Sequence, residues 1–184
     1  MKDKEESYPK NVLATEYKAE VSLQDLFNHT AGRLLKSLDI RLSDIDNFDV
    51  RNNEILDLSI KLGYDGTAVN AYRQMRMDPT ESHSDDHILF TSSAPLLLVR
   101  KSDSKELWKN PNPSSSNYVR PVKLEYIRET KDNIKKEKLN LEEQMKNLKD
   151  LVLPGYTIKF NTSLTMIDGK VSRNLIFIDF FFCS

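Results

Sequence analysis

The chain has 184 residues, with 27 basic and 28 acidic side chains and a formal net charge of −1 at pH 7. This length suits one domain, and the charge balance excludes the global positive field of a strongly basic nucleic-acid-binding domain. A single cysteine, Cys183, excludes an internal disulfide framework and a cysteine-rich zinc site.

The two ends of the chain bear on its location. The first ten residues, MKDKEESYPK, are charged and lack the apolar region of a secretory signal. The one long apolar run, 175–183, is shorter than the roughly 18–20 residues that span a bilayer. We therefore expect an intracellular protein without a membrane partner, whose apolar end is either a buried strand or a tail that lacks its natural continuation.

The first part of the chain predicts an arm and then helix. Residues 1–20 are charged and without apolar periodicity, which predicts a mobile arm. A helix is predicted over 22–38, because apolar residues recur at helical spacing and Ser22 with Asp25 has the pattern of a capping box. A second, short helix is predicted from Ser43, so that 21–54 forms a helical lead-in.

The segment 55–70, ILDLSIKLGYDGTAVN, predicts a strand that stops at an acidic residue. Apolar and polar residues alternate through its first half, and Gly63 and Gly66 interrupt the pattern on either side of Asp65. Strand ends are where rigid scaffolds present chemical groups, which makes Asp65 a candidate metal ligand. Asp-Gly is also a common hairpin turn, and the pattern alone favours that simpler interpretation.

A polar connection and further strands follow. The stretch 67–86 predicts a flexible segment. The side chains of SHSDDH (82–87), at its end, could hold a metal ion, but a solvated surface loop is the better interpretation. Residues 87–102 predict a strand or strand pair interrupted near Pro95, and 106–109 predict a short strand.

The second half of the chain combines a loop, a strand and a long helix. The Asn-, Pro- and Ser-rich segment 110–117 predicts a loop, and 122–127 alternates as a half-buried strand does. A charged helix is predicted over 130–151, with Ile134, Leu141 and Leu148 spaced by seven. A helix that lays one face on a sheet is favoured over a coiled coil, because so few heptads are present.

The last predicted element is another strand. Pro154-Gly155 is predicted to end the long helix, and 156–166 predicts a strand before a turn at Asp168-Gly169. The resulting order of helix, strands, long helix and strand indicates a mixed sheet packed against helices, an α+β or α/β fold.

Four segments of the chain resemble, in the same order, the central part of the catalytic subunit of the V(D)J recombinase and the related Transib-type DNA transposases. They are GYDG (63–66), LWKNPNP (107–113), RPVKLEYIRET (120–130) and LTMIDGK (164–170). The resemblance implies an incomplete ribonuclease-H-like mixed sheet with flanking helices, a fold that transposases share with retroviral integrases. On this basis 55–170 forms a partial ribonuclease-H-like domain and 171–184 a divergent apolar tail.

The same resemblance implies two site residues. In this family clustered carboxylates bind two Mg²⁺ ions, with Mn²⁺ as a substitute. Asp65 matches the family's strand-end aspartate and Glu129 matches the glutamate after the Pro-led strand, so both are expected as catalytic residues and metal ligands. Two such ions can activate an attacking oxygen and stabilise the leaving oxygen of a phosphodiester. The implied partner is DNA and the implied location is the nucleus.

The resemblance stops after Lys170, before the family's later acidic residues and its zinc-binding cysteines and histidines. Two carboxylates provide little charge for holding two Mg²⁺ ions. We therefore expect a transposase- or recombinase-derived protein that does not cut DNA alone. The alternative is a non-catalytic interaction or DNA-binding module, whose helix at 130–151 binds a partner or forms a homodimer. Seven basic residues could touch phosphates if the loops fold over one face, although scattered surface charge is the favoured interpretation for most of them. They are Arg73, Arg76, Arg100, Lys101, Lys109, Arg120 and Lys123.

Overall fold

The computed structural model describes residues 9–42, 54–68, 87–128 and 130–167. These residues form two helices and one eight-stranded mixed sheet. The helices are α1 (Leu23–Leu42) and α2 (Lys131–Lys146). The strands are β1 (Leu13–Ala14), β2 (Lys18–Glu20), β3 (Glu54–Ala68), β4 (His87–Arg100), β5 (Lys105–Lys109), β6 (Arg120–Glu125), β7 (Leu151–Leu153) and β8 (Tyr156–Ile167).

The centre of the sheet has the strand order β6-β4-β3-β8. β4 lies antiparallel to both β3 and β6, whereas β8 lies parallel to β3. β6 and β8 therefore point the same way. The chain returns between them through α2, whose Glu137 contacts Thr91 of β4, and then through β7, which forms a hairpin with β8. β1 and β2 extend the sheet beyond β6, β7 extends it beyond β8, and β5 pairs with β4.

Both helices pack on one face of this sheet. Alternate side chains of β3 are buried there, from Leu56 to Tyr64, because successive side chains of a strand point to opposite faces. They share one core with apolar residues of α1 and with Ile134 and Leu141 of α2. The Phe27 ring of α1 lies 5.6 Å from the Phe160 ring of β8, centroid to centroid. The opposite face of β3 carries the remaining, mainly polar side chains.

Side chains of the residues before each helix satisfy free backbone groups at its start. Ser22 Oγ accepts a hydrogen bond from the N–H of Asp25 at 3.1 Å and donates to its carboxylate at 2.8 Å. Thr130 Oγ1 caps α2 by accepting from the N–H of Asn133 at 3.2 Å. A capping oxygen of this kind stabilises a helix by about 1 kcal/mol. The N-cap predicted at Ser22 is confirmed, and Asp25, in the acidic place of the predicted capping box, accepts from the Ser22 hydroxyl and not from its backbone N–H.

The apolar positions of α2 face the core. Ile134 and Leu141 are buried, and Met145 and Leu148 pack against the same core. The interpretation of this segment as a helix lying on a sheet is confirmed. The helix is shorter than predicted and ends at Lys146. Pro154-Gly155 instead forms the turn between β7 and β8, where Gly155 adopts a φ of 83° that favours glycine.

The second half of the predicted mobile arm belongs to the sheet. β1 pairs with β2, and β2 pairs with β6. Charged residues of the two strands stand opposite each other, Lys18 opposite Glu125 and Glu20 opposite Lys123. The ion pairs themselves form within each strand, at 2.7 Å between Lys18 and Glu20 and at 2.6 Å between Lys123 and Glu125. Opposite charges across neighbouring strands favour pairing.

The predicted interruption near Pro95 is wrong, since β4 is continuous from His87 to Arg100. Pro95 lies opposite Ile60, next to a register shift at which β4 carries one extra residue, Leu96. Proline lacks an N–H, and an irregular position of this kind tolerates it within a sheet. The Asn110 amide donates to the Pro95 carbonyl at 2.7 Å and fixes the chain there. The helix predicted from Ser43 lies outside the described residues, as do residues 82–86 and the tail at 171–184.

The stability of the fold should depend on the buried face of α2 and not on its solvent face. We expect Leu141→Ala to lower the free energy of unfolding by about 2–5 kcal/mol, because Leu141 is fully buried. Leu139→Ala is the matched control, since Leu139 is 56% exposed, and should change stability by less than about 0.5 kcal/mol. Urea denaturation measures both, and equal effects would contradict the packing of α2.

Candidate functional site

Asp65 lies within β3, and the strand does not stop there. β3 continues to Ala68, and Asp65 stands opposite Phe90 of β4. The two glycines that interrupt the apolar pattern remain extended, because Gly63 is held between Ser92 of β4 and Met166 of β8. The strand-end and turn interpretations of Asp65 are therefore both corrected.

The side chain of Asp65 is exposed, on the sheet face opposite the two helices. The neighbouring residue Tyr64 pairs with Ile167 of β8 and lies on the helical face. Asp65 is thus close to the carboxyl ends of two adjacent parallel strands. Crevices at such ends are common ligand sites in sheets with parallel strands. A ligand can reach this carboxylate from solvent.

The second expected site residue, Glu129, lies outside the described residues, and so does Asp168. Within the described ranges, no group of three or more His, Cys, Asp or Glu side chains is arranged to hold a metal ion. Asp65 alone does not fit a two-ion magnesium site, which needs several converging oxygen ligands. The pairing of Asp65 with Glu129 and the expected Mg²⁺ or Mn²⁺ stay predictions.

A buried charge cluster under α2 was not predicted from the sequence. Glu137 is only 3% exposed; its carboxylate accepts hydrogen bonds from Thr91 Oγ1 and from Lys123 Nζ, both at 2.7 Å. Lys123 Nζ also lies 2.6 Å from Glu125. The signal was present in the sequence, because Glu137 follows Ile134 by three residues and precedes Leu141 by four, on the same helical face.

The pKa values in this cluster follow from its burial and its carboxylates. Burial opposes the charge of Lys123, but its hydrogen bonds with Glu125 and Glu137 outweigh that effect and raise the Lys123 pKa. Burial raises the pKa of Tyr64, and the charges of Glu137 and Glu142 raise it further. The Tyr64 hydroxyl is buried and has no hydrogen-bond partner in the part of the chain that the structure describes.

Arg120 and Lys123 differ from the expected scattered surface charge. Lys123 forms ion pairs with Glu125 and Glu137 inside the fold. Arg120, at the start of β6, has a buried Nε without an acceptor among the described residues. Burial lowers the pKa of the Arg120 guanidinium, and the nearby positive charge of Arg33 on α1 lowers it further.

No protein-family model matches the chain, and no curated protein matches it at a significant level. In the described part of the chain, neither helix is long and apolar enough to cross a membrane.

Removal of the Thr91 hydroxyl and removal of the Tyr64 hydroxyl should have opposite effects on the free energy of unfolding. Thr91→Val leaves one Glu137 oxygen without its donor, and should lower the free energy of unfolding by about 1–3 kcal/mol. Tyr64→Phe removes a buried hydroxyl that has no partner, so stability should be unchanged or higher by up to about 1 kcal/mol. Chemical denaturation of both variants checks this, and a large loss in Tyr64→Phe would show that the hydroxyl has a partner.

The cluster also predicts a loss of stability in alkali. The pKa values of Lys123 and Tyr64 are both raised in the folded protein, so above the unfolded values of about 10 the native state holds more protons. The contribution of these two groups to stability is complete below pH about 10. It is lost as the pH rises through their raised pKa values in the folded protein. Urea denaturation across this range should show a smaller decline in Tyr64→Phe, and a rise in stability with pH would contradict the account.

Proposed function

We propose that this chain is a DNA-binding protein derived from the catalytic region of the V(D)J recombinase and Transib-type transposase family, and that it does not cut DNA alone. The observation that carries the proposal is the topology. A ribonuclease-H-like sheet has three antiparallel strands, then a helix, then a strand parallel to the first and beside it. Apart from the short strands β5 and β7, the chain runs β3, β4, β6, α2, β8 with β8 parallel to β3, which agrees with that description.

The position of Asp65 supports the same ancestry. It lies on β3, the central strand that pairs with both β4 and β8, and its carboxylate is open to solvent. A carboxylate there is accessible to a hard cation and to a phosphodiester, since Mg²⁺ prefers oxygen ligands. The proposal retains Asp65 and Glu129 as the matched acidic positions.

We propose that the chain does not cut DNA alone because it has few carboxylates that match the family's metal ligands. Only Asp65 and Glu129 match acidic positions of the family, and site charge and ligand number set the affinity for hard cations. No chemical step is assigned to the chain for that reason. The remaining role is binding, with DNA as the partner and the nucleus as the location.

The competing role, a module that binds a protein partner or dimerises through α2, receives less support. It requires an exposed apolar seam at Ile134, Leu141, Met145 and Leu148. These side chains are buried in or packed against the core of the described structure. They are therefore not offered to a partner in the folded protein.

Two assays on the purified chain test the proposal. We expect a fluorescent DNA duplex to bind, with an affinity that falls as salt rises because phosphate contacts release counterions. Supercoiled plasmid should stay intact in Mg²⁺ and in Mn²⁺. Nicking that is lost in Asp65→Asn would overturn the claim that the chain does not cut, and failure to bind any duplex would overturn the claim that it binds DNA.

A further inference from the structure

One edge of the sheet is open along most of β8. On one side β8 pairs with β3 from Tyr156 to Ile167, but on the other side β7 covers it only from Tyr156 to Ile158. From Lys159 to Ile167, β8 therefore has no strand partner on that side among the residues that the structure describes. The backbone hydrogen bonds that the described residues form outside helices and strands do not reach this stretch. Such an edge presents a row of N–H and C=O groups that can pair with another strand.

The open stretch of β8 carries few of the features that keep a strand edge from pairing. Lys159 is its one charged residue, and its sequence contains no proline. β8 has one extra residue relative to β3, between Leu164 and Met166, so that 159–164 remains regular. Phe160 and Leu164 are only partly buried against the core. A further strand beside β8 removes more of both side chains from water, which stabilises the fold.

The sequence that follows β8 has the pattern of a turn and a second strand. Residues 168–184 lie outside the described part of the chain. They begin with Asp168-Gly169, and Asp-Gly between two strand-forming segments is a strong hairpin signal. A two-residue turn there places 175–178, which are LIFI, opposite 159–162, and isoleucine and phenylalanine favour strands. The next residue is the charged Asp179, which in this register reaches the part of β8 that β7 already covers.

We infer that the open edge of β8 is the docking surface for the chain's own segment 170–178, which joins the sheet as an antiparallel strand through a hairpin at Asp168-Gly169. In this register Phe177 stands opposite Phe160, whose ring lies beside that of Phe27. A two-residue connection closes the pairing within one molecule, whereas a second copy must lose the freedom of a separate molecule. The chain's own segment therefore occupies the edge and prevents edge-to-edge association between copies.

Pairs of introduced cysteines in the full chain test both the docking and its register. Cys183→Ser removes the native thiol, and Thr162→Cys with Leu175→Cys then places two thiols opposite each other. Mild oxidation should join this pair by a disulfide within one molecule, because opposite Cβ atoms of paired strands lie close together. Thr162→Cys with Ile176→Cys is the matched control. It should form at least about fivefold less disulfide, since neighbouring residues of a strand point to opposite faces.

Non-reducing electrophoresis and peptide mass spectrometry distinguish the outcomes. A disulfide within one chain that forms preferentially between positions 162 and 175 supports the inference. Disulfide-linked dimers in its place would show that a second copy occupies the edge. Equal disulfide formation in the control, or none in either variant, would show that 170–178 does not pair with β8. Each of these last results overturns the inference.

Amide hydrogen exchange provides a second measurement that needs no introduced cysteine. Ending the chain after Lys170 removes most of the docking segment and should speed exchange in 159–164 at least about tenfold, since these amides lose their partners. Exchange in β4, which lies inside the sheet between β3 and β6, should stay the same and serves as the control. Unchanged exchange in 159–164 would contradict the docking.

Discussion

The structure depends on α2 crossing the sheet between β6 and β8. Because β6 and β8 run in the same direction, their connection must return over the sheet, and α2 contacts β4 in doing so. The helix buries Ile134 and Leu141, but it also buries Glu137, which is charged. Burial of a carboxylate is tolerated only when it is paired and hydrogen-bonded. Thr91 and Lys123 provide those contacts and so fix where α2 lies on the sheet.

This packing gives the two faces of the sheet different roles. The helical face holds the hydrophobic core that the described residues form. In the described chain the other face is free of helices, and Asp65 is exposed on it. The proposed ancestry depends on the same crossing, because it is α2 that returns the chain so that β8 lies parallel to β3.

The spacing of apolar residues in the sequence predicted the strands and helices that bury one apolar face. The alternation in β3 and β8 and the helical spacing in α1 and α2 are of this kind, and the mixed sheet follows from their order. Prediction failed where other forces decide. β2, whose residues are Lys18, Ala19 and Glu20, pairs with β6 without apolar alternation, and β4 passes through Pro95 at an irregular position. Glu137 resembled surface charge, since only its spacing from Ile134 and Leu141 reveals that it faces the core. Arg120 could not be separated from other basic residues, because its isolation depends on contacts distant in sequence.

The measurement that tests this account most directly is a double-mutant cycle between Glu137 and Lys123. The free energy of unfolding is measured for wild type, Glu137→Gln, Lys123→Met and the double variant. If Glu137 holds α2 across the sheet through Lys123, the two substitutions should be coupled by at least about 1 kcal/mol, since residues in one buried network do not act independently. Additive effects, within about 0.5 kcal/mol, would contradict this placement of α2 and with it the topology on which the proposed ancestry rests.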